Sequence, residues 1–318
     1  MDVAILGTGA VGQRFARACL FGTAASTNAS PDETAADENH TAETDTEPHV
    51  TLYGSDATAV MDAVDALENE LHNQVESEST DRLDRVDGTT DLDTAVGDAD
   101  IVIETRAEDL ETVRRRLAGV EERLDDETIL ATHADVADPT AAAAALENPA
   151  RAIGVSRDVP GSPAQTDTQT GGVIEVVRAV QTEDATVDTT TGIFDDLGWT
   201  PVVVNDAPGR ISNRLRLALE AEAMRAVEAD VAAPAAIDDV VEGGFGHAEG
   251  PLAAADRAGL DNRLEALEEL AAELGERFEP PAILRAKVQA GDLGTKTGSG
   301  FREWEDDQPV DGTVGTES

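Results

Sequence analysis

Cysteine and lysine are almost absent from this chain of 318 residues. The single cysteine, Cys19, excludes an intramolecular disulfide and any metal site built from several cysteines, and its apolar helical surroundings favour a core residue. Lysine occurs only at Lys287 and Lys296, and all basic residues together number 23 against 66 acidic ones. Because nucleic acids and anionic membranes are bound through clustered Lys and Arg, the composition argues against both as partners.

Long apolar runs are also missing. No stretch approaches the roughly 18 consecutive apolar residues that indicate a membrane-spanning helix. The chain opens with a strand-like run instead of the basic and then apolar segments of a signal peptide. We therefore expect a soluble, cytoplasmic protein.

The most prominent property of the composition is a formal net charge of −43. High charge often indicates disorder, but 40% of the residues are apolar and they recur in regular patterns, which favours a folded protein. Repulsion among carboxylates is largely screened at about 1 M salt, where the Debye length is about 3 Å. The composition therefore indicates a protein adapted to the cytosol of an extreme halophile.

Apolar runs alternate with helical patterns over the first two thirds of the chain. The runs that predict strands lie at 2–6, 49–54, 101–104, 128–132, 152–155, 173–177 and 201–206. This alternation predicts an α/β fold, a Rossmann-like doubly wound and mostly parallel sheet. From 211 to about 291 the apolar positions recur at helical spacing, which predicts a second, all-helical domain.

These patterns predict three parts of the chain. A dinucleotide-binding domain covers 1–205, and the acidic, aperiodic segment 23–48 within it is expected to be a disordered loop. A helical domain covers 206–304, and 305–318 is expected to be a disordered tail.

Three glycines, Gly7, Gly9 and Gly12, form a G-x-G-x-x-G pattern between the first predicted strand and the first helix. The first glycine permits a tight turn, the second lets the backbone approach a pyrophosphate, and the third allows close packing of helix on strand. The free N–H groups of the helix N-terminus then attract the anion. The pattern in this context predicts binding of a nicotinamide dinucleotide.

The second predicted strand lacks the acidic residue that usually ends it and binds the ribose hydroxyls. Gly54 holds that position, and Ser55 and Asp56 follow. Asp56 either reaches the ribose or caps the next helix. No Lys or Arg stands near it in the sequence to favour a 2′-phosphate, so NAD is the predicted cofactor.

Several longer motifs resemble the 3-hydroxyacyl-CoA dehydrogenase family, including 3-hydroxybutyryl-CoA dehydrogenases. They are GTGAVG at 7–12, TTDLDTAVGDADIVIET at 89–105, DAPGRISNRL at 206–215, GPLAAADRAGLD at 250–261 and KVQAGDLGTKTGSGF at 287–301. The resemblance implies hydride transfer between C3 of a 3-hydroxyacyl-CoA and NAD, in fatty-acid metabolism. It also implies an acyl-CoA substrate and a homodimer formed through the helical domain.

The resemblance implies site residues as well, but the match to the family is partial. The family's catalytic Glu and Asn fall on Glu175 and Asn213, whereas its catalytic His falls on Ser156 and its Ser on Asp135. Asn213 could instead cap the helix that begins near it. Glu104 falls at a position facing the nicotinamide, with a helix-start role as the alternative.

The exchange of His for Ser156 removes a general base, because a serine hydroxyl does not titrate near neutral pH. His133 could replace it in a relay with Asp135 and Glu175, and His247 is a second histidine near the expected cleft. Two hypotheses follow: a dehydrogenase that works slowly, or a paralogue that binds dinucleotide or acyl-CoA without efficient turnover.

Overall fold

The structure is a computed structural model of the chain. It describes residues 1–21, 48–74, 85–106, 109–134, 137–156 and 172–310. The expected loop at 23–48 and the end of the expected tail lie almost wholly outside these ranges. The described residues form two compact units, one up to Asp206 and one from Ala207 onward.

The first unit is built on one eight-stranded sheet. Its strands are β1 (Asp2–Leu6), β2 (His49–Tyr53), β3 (Val86–Thr89), β4 (Ile101–Glu104), β5 (Ile129–His133), β6 (Ala152–Ser156), β7 (Val173–Arg178) and β8 (Thr200–Asn205). Their order in the sheet is 3-2-1-4-5-6-7-8. Every neighbouring pair is parallel except β6 and β7, which are antiparallel. The predicted Rossmann-like, mostly parallel sheet is confirmed.

Helices cover both faces of this sheet. They are α1 (Ala10–Phe21), α2 (Ala57–Gln74), α3 (Leu92–Val96), α4 (Leu110–Glu121), α5 (Pro139–Ala143) and α6 (Asp184–Asp196). One core cluster joins α1, α2 and α6 to the face of the sheet that we call the α1 face. Cys19 is a buried member of this cluster, as its apolar surroundings predicted. A second cluster joins α3, α4 and α5 to the opposite face, the α4 face.

Alternation along the strands decides which residues point to which face. On β5, β6 and β7, the alternate residues that belong to the α1-face cluster are Ile129, Ala131, Ile153, Val155, Ile174 and Val176. The residues between them therefore point to the α4 face. Gly154 illustrates this, because a Cβ atom on it would lie only 2.4 Å from Cγ of Pro139 in α5.

The second unit consists of packed helices around its own core. They are α7 (Ser212–Glu228), α8 (Pro234–Phe245), α9 (Pro251–Ala258), α10 (Leu260–Leu274) and α11 (Ala282–Ala290). Leucines on four of these helices, together with Met224 and Phe278, belong to this core. The prediction that a helical domain follows the first domain is confirmed.

A buried carboxylate fastens the C-terminal segment to α9. Asp256 is fully buried and accepts hydrogen bonds from the backbone N–H groups of Phe301 and Arg302, both at 2.8 Å. The indole N–H of Trp304 donates a third, at 2.9 Å. Burial raises the pKa of Asp256, against the opposing effect of these three donors.

Two elements differ from the sequence prediction. β3 is absent from the predicted strands, because only Val86 of its four residues is buried and the strand carries no apolar alternation. A short hairpin, β9 (Trp304–Glu305) and β10 (Gln308–Pro309), replaces the first part of the expected tail, so that prediction was wrong for 305–309. Among the described helices, none is long and apolar enough to cross a membrane.

Candidate active site

Two of the three glycines in the turn after β1 are required by the protein itself. Gly7 has a φ of +135°, and a Cβ atom on it would lie 2.5 Å from Oγ1 of Thr105. A Cβ atom on Gly12 would lie 2.0 Å from the carbonyl oxygen of Gly7. Side chains at either position would therefore force the turn and α1 apart.

Gly9 is different, because a Cβ atom there would meet nothing within 4 Å. Packing does not explain a glycine at this position. The backbone beside the N-terminus of α1 is thus left open, with unpaired N–H groups and the positive end of the helix dipole next to it. Gly9 and the α1 N-terminus therefore fit the pyrophosphate of a dinucleotide.

The end of β2 has no room for the usual acidic residue. A Cβ atom on Gly54 would lie 2.9 Å from Cγ2 of Val60 and 3.0 Å from Cγ2 of Thr8. Asp56 caps α2, because its Oδ1 accepts hydrogen bonds from the N–H groups of Thr58 at 2.8 Å and Ala59 at 3.0 Å. Ser55 is exposed beside it. Contact of Ser55 or Asp56 with a ribose stays a prediction.

Glu104, at the end of β4, does not face an open site. Its side chain is 0% exposed, and its two oxygens are bound by Arg106 and Arg116. The expectation that Glu104 faces the cofactor is therefore corrected, because the carboxylate is enclosed by its two arginines. Sequence reasoning missed Arg106, whose guanidinium carbon lies 5.5 Å from the ring centre of Tyr53 at the end of β2.

Ser156 and Glu175 lie directly opposite each other. They are partners in the antiparallel register of β6 and β7, and each is 2% exposed. Both alternate with residues of the α1-face cluster, so both side chains point to the α4 face. The structure therefore brings together the two residues that correspond, by resemblance, to the catalytic His and Glu.

His133 points to the other face of the sheet. It alternates with Ile129 and Ala131, and its ring meets the ring of Phe15 in α1 edge-to-face, with centroids 5.6 Å apart. Asp135 lies outside the described residues. The structure does not bring His133 to Glu175, because a strand places alternate side chains on opposite faces, and this contradicts the proposed relay through His133.

Asn213 lies in the first turn of α7 and does not cap it. Ile211 occupies the capping position, and Oδ1 of Asn213 instead accepts a hydrogen bond from Nη2 of Arg216. The amide N–H₂ of Asn213 is thereby oriented away from Arg216. His247 follows α8, where its N–H bonds the carbonyl oxygen of Val241.

A buried ion pair lies one turn beyond Arg216 along α7. Glu220 is 1% exposed, and its Oε2 lies 2.8 Å from Nε of Arg263 in α10. Burial raises the pKa of the Glu220 carboxyl, while Arg263 and Arg216 act in the opposite direction. These charges bind α7 to α10 within the helical unit.

Comparison with known proteins agrees with this geometry. The model of the 3-hydroxyacyl-CoA dehydrogenase NAD binding domain matches residues 2–207, and the model of the C-terminal domain of the same family matches residues 209–304. A "Probable 3-hydroxybutyryl-CoA dehydrogenase" of Deinococcus radiodurans is 36% identical over 223 residues, which is 70% of this chain and 77% of the relative.

Two further relatives support the same assignment. A 3-hydroxybutyryl-CoA dehydrogenase of Bradyrhizobium diazoefficiens is 32% identical over 74% of this chain and 78% of its own. The crystal structure of (S)-3-hydroxybutyryl-CoA dehydrogenase from Ralstonia eutropha is similar with a TM-score of 0.77 and 25% identity, covering 96% of this chain and 99% of that one. With both family domains matched in order, the chain belongs to the 3-hydroxyacyl-CoA dehydrogenase family, whose first domain binds NAD.

Proposed function

We propose that the protein catalyses the NAD-dependent oxidation of a 3-hydroxyacyl-CoA to the 3-oxoacyl-CoA, slowly for a member of its family. The observation that carries the proposal is the pairing of Ser156 with Glu175 across β6 and β7. By the resemblance, Glu175 corresponds to the family's catalytic Glu, and the hydroxyl of Ser156 takes the place of its catalytic imidazole.

The glycine turn supports the cofactor part of the proposal. Gly9 leaves the backbone open to the pyrophosphate, and the N-terminus of α1 supplies N–H donors. The nicotinamide, when bound, supplies the acceptor for the hydride that leaves C3 of the substrate.

The proton of the substrate hydroxyl needs a separate acceptor. Ser156 titrates far above neutral pH, so the acceptor within this pair is the carboxylate of Glu175, with the Ser156 hydroxyl placed to pass the proton. Loss of a well-matched general base typically slows a reaction about 10²- to 10⁴-fold.

By the resemblance, Asn213 of the helical unit corresponds to the family's catalytic Asn, and we propose that its side chain binds the substrate. Arg216 binds its carbonyl oxygen, and the N–H₂ group of an amide side chain is a donor suited to a substrate oxygen. Such a donor stabilises the negative charge that develops on oxygen as the proton leaves.

The experiment that tests the proposal follows NADH absorbance after 3-hydroxybutyryl-CoA and NAD are mixed with the protein in molar KCl. Slow but enzyme-dependent formation of NADH is expected. Retained NADH binding without any turnover would favour the second hypothesis, a paralogue that binds its ligands only. The comparisons favour the first, because the relatives reported above are dehydrogenases by name.

The oligomeric state and the cellular location are proposed from the exposed residues and the charge of the protein. Apolar side chains are exposed on the helical unit, among them Leu215 on α7 at 67%, and Val240 and Phe245 on α8 at 60% and 69%. These side chains support the homodimer that the resemblance implies, formed through the helical unit. Light scattering after gel filtration in molar KCl tests this, and Phe245→Glu should yield a monomer. We place the protein in the cytoplasm of a halophile on its charge alone.

A further inference from the structure

Arg106 crosses the carboxyl edge of the sheet where the strand order reverses. It follows β4, yet its Cγ lies 3.0 Å from the point that a Cβ on Gly7 would occupy, next to the end of β1. Its guanidinium carbon lies over the ring of Tyr53, the last residue of β2. In open α/β sheets, ligands bind in the crevice at this reversal, here between β1 and β4.

Glu104 fixes Arg106 in this position. Nε of Arg106 donates to Oε1 of Glu104 at 2.9 Å and Nη2 donates to Oε2 at 2.6 Å, a bidentate pair with a fully buried carboxylate. The third nitrogen, Nη1, makes no hydrogen bond within the described residues. The Arg106 side chain is 26% exposed, so that a ligand in the crevice can reach it.

Two further contacts hold the Glu104 carboxylate. Arg116 also pairs with Glu104, at 3.2 Å, and the backbone N–H of Arg106 donates to the same carboxylate at 2.9 Å. Glu104 thus binds both the side chain and the backbone of Arg106, which holds that guanidinium beside the glycine turn. In a chain with a formal charge of −43, a preorganised cation at this place offsets the general repulsion of an anionic ligand.

We propose that Arg106 binds a phosphate group of the ADP half of the dinucleotide. A guanidinium held by a carboxylate and stacked on a ring presents its remaining N–H groups in a fixed geometry, which suits phosphate oxygens. That phosphate is either part of the pyrophosphate or the 2′-phosphate of NADP. The second source is compatible with the end of β2, because Gly54 leaves no acidic residue there to repel a 2′-phosphate.

ADP-ribose and 2′-phospho-ADP-ribose are the probes, because both carry the pyrophosphate and neither depends on turnover. Their binding is measured calorimetrically in molar KCl for the wild type, Arg106→Gln and Arg106→Lys. We expect Arg106→Gln to raise Kd by about 10-fold or more, in line with hydrogen bonds to charged groups. Arg106→Lys keeps the charge but loses the bidentate pair, so an intermediate loss is expected.

Two control variants separate ligand binding from support of Glu104. Arg116→Gln removes the other partner of Glu104, and Arg123→Gln removes a surface arginine paired with Asp93 at 2.6 Å. Both should leave Kd within about twofold. An equal loss for the two probes in Arg106→Gln assigns the pyrophosphate, and a loss confined to the 2′-phospho form assigns the 2′-phosphate. Unchanged binding of both probes in Arg106→Gln, or an equal loss in Arg116→Gln, would overturn the proposal.

Discussion

Ser156 lies opposite Glu175 in the antiparallel register of β6 and β7, and both side chains are buried on the α4 face of the sheet. Across such a pair, Cβ atoms lie about 4.5–5.5 Å apart, so the two side chains are neighbours. By the resemblance, Ser156 takes the place of the family's catalytic His, and the proposed exchange of an imidazole for a hydroxyl changes the chemistry of the pair without moving it.

Restoring the imidazole should restore the rate. We expect Ser156→His combined with Asp135→Ser to raise kcat for 3-hydroxybutyryl-CoA oxidation about 10²-fold or more, because His titrates near neutral pH beside Glu175. The gain should disappear when Glu175→Gln is added. Initial rates of NADH formation in molar KCl are measured for the wild type and for both variants.

His133→Ala provides the control for that series. Because the His133 ring packs on Phe15 at the opposite face, its loss should leave the wild-type rate within a fewfold. A fast wild-type rate that His133→Ala abolishes, with no gain from Ser156→His, would show that the base is His133.

The glycine turn predicts opposite effects for two neighbouring substitutions. Gly12→Ala should destabilise the protein by about 3 kcal/mol or more, because its Cβ would meet the Gly7 carbonyl oxygen. Gly9→Ala should leave the melting temperature nearly unchanged and weaken NADH binding about 10-fold, because its Cβ enters only the space for the ligand. Thermal unfolding and NADH fluorescence titration measure the two effects. Equal destabilisation by both substitutions would argue against this division of roles.

Salt should stabilise the folded protein strongly. With 66 acidic and 23 basic residues, repulsion at low ionic strength opposes the compact state. We expect the melting temperature to rise by about 10 °C or more between 0.1 M and 2 M KCl, as the Debye length falls from about 10 Å to a few Å. A melting temperature that stays flat over this range would leave the acidic composition without a halophilic explanation.

Acidification should stabilise the wild type relative to Glu220→Gln. Burial raises the pKa of Glu220, so the folded state binds its proton more tightly than the unfolded chain does. As the pH falls through the folded pKa towards the ordinary value of 4.5, the wild type gains stability from this group and the glutamine variant does not. The difference in melting temperature, wild type minus variant, should therefore grow between pH 8 and pH 5 in 2 M KCl. A constant or shrinking difference would contradict the raised pKa.

Local patterns predicted most of the first unit. Apolar runs such as Ile101–Glu104, which is fully buried, are typical of central strands of a parallel sheet. β3 was not predicted because its own residues carry no strand pattern. It is held in the sheet by its pairing with β2 and by the packing of Gly88 against Val60 and Val64 of α2. The antiparallel direction of β7 was not predicted either, since an apolar run has the same pattern in both directions.

The site was predicted less well, because its geometry depends on contacts between distant positions. The glycine turn is contiguous and was recognised, whereas Arg106 meets Tyr53 across 53 positions of sequence. The face on which His133 lies follows from its alternation with buried residues that pack on α1. A histidine two positions from an aspartate gives no indication of that face.

The crowding around Gly54 constrains the order in which substitutions can accumulate. Thr8 and Val60 fill the space that a side chain at 54 would need, so Gly54→Asp alone would strain the turn before it could reach a ribose. Smaller residues at 8 and 60 would have to come first, and neither change would by itself improve ribose binding. A change of dinucleotide preference that works through an acidic residue at position 54 therefore depends on three positions together, and one substitution at the end of β2 does not produce it.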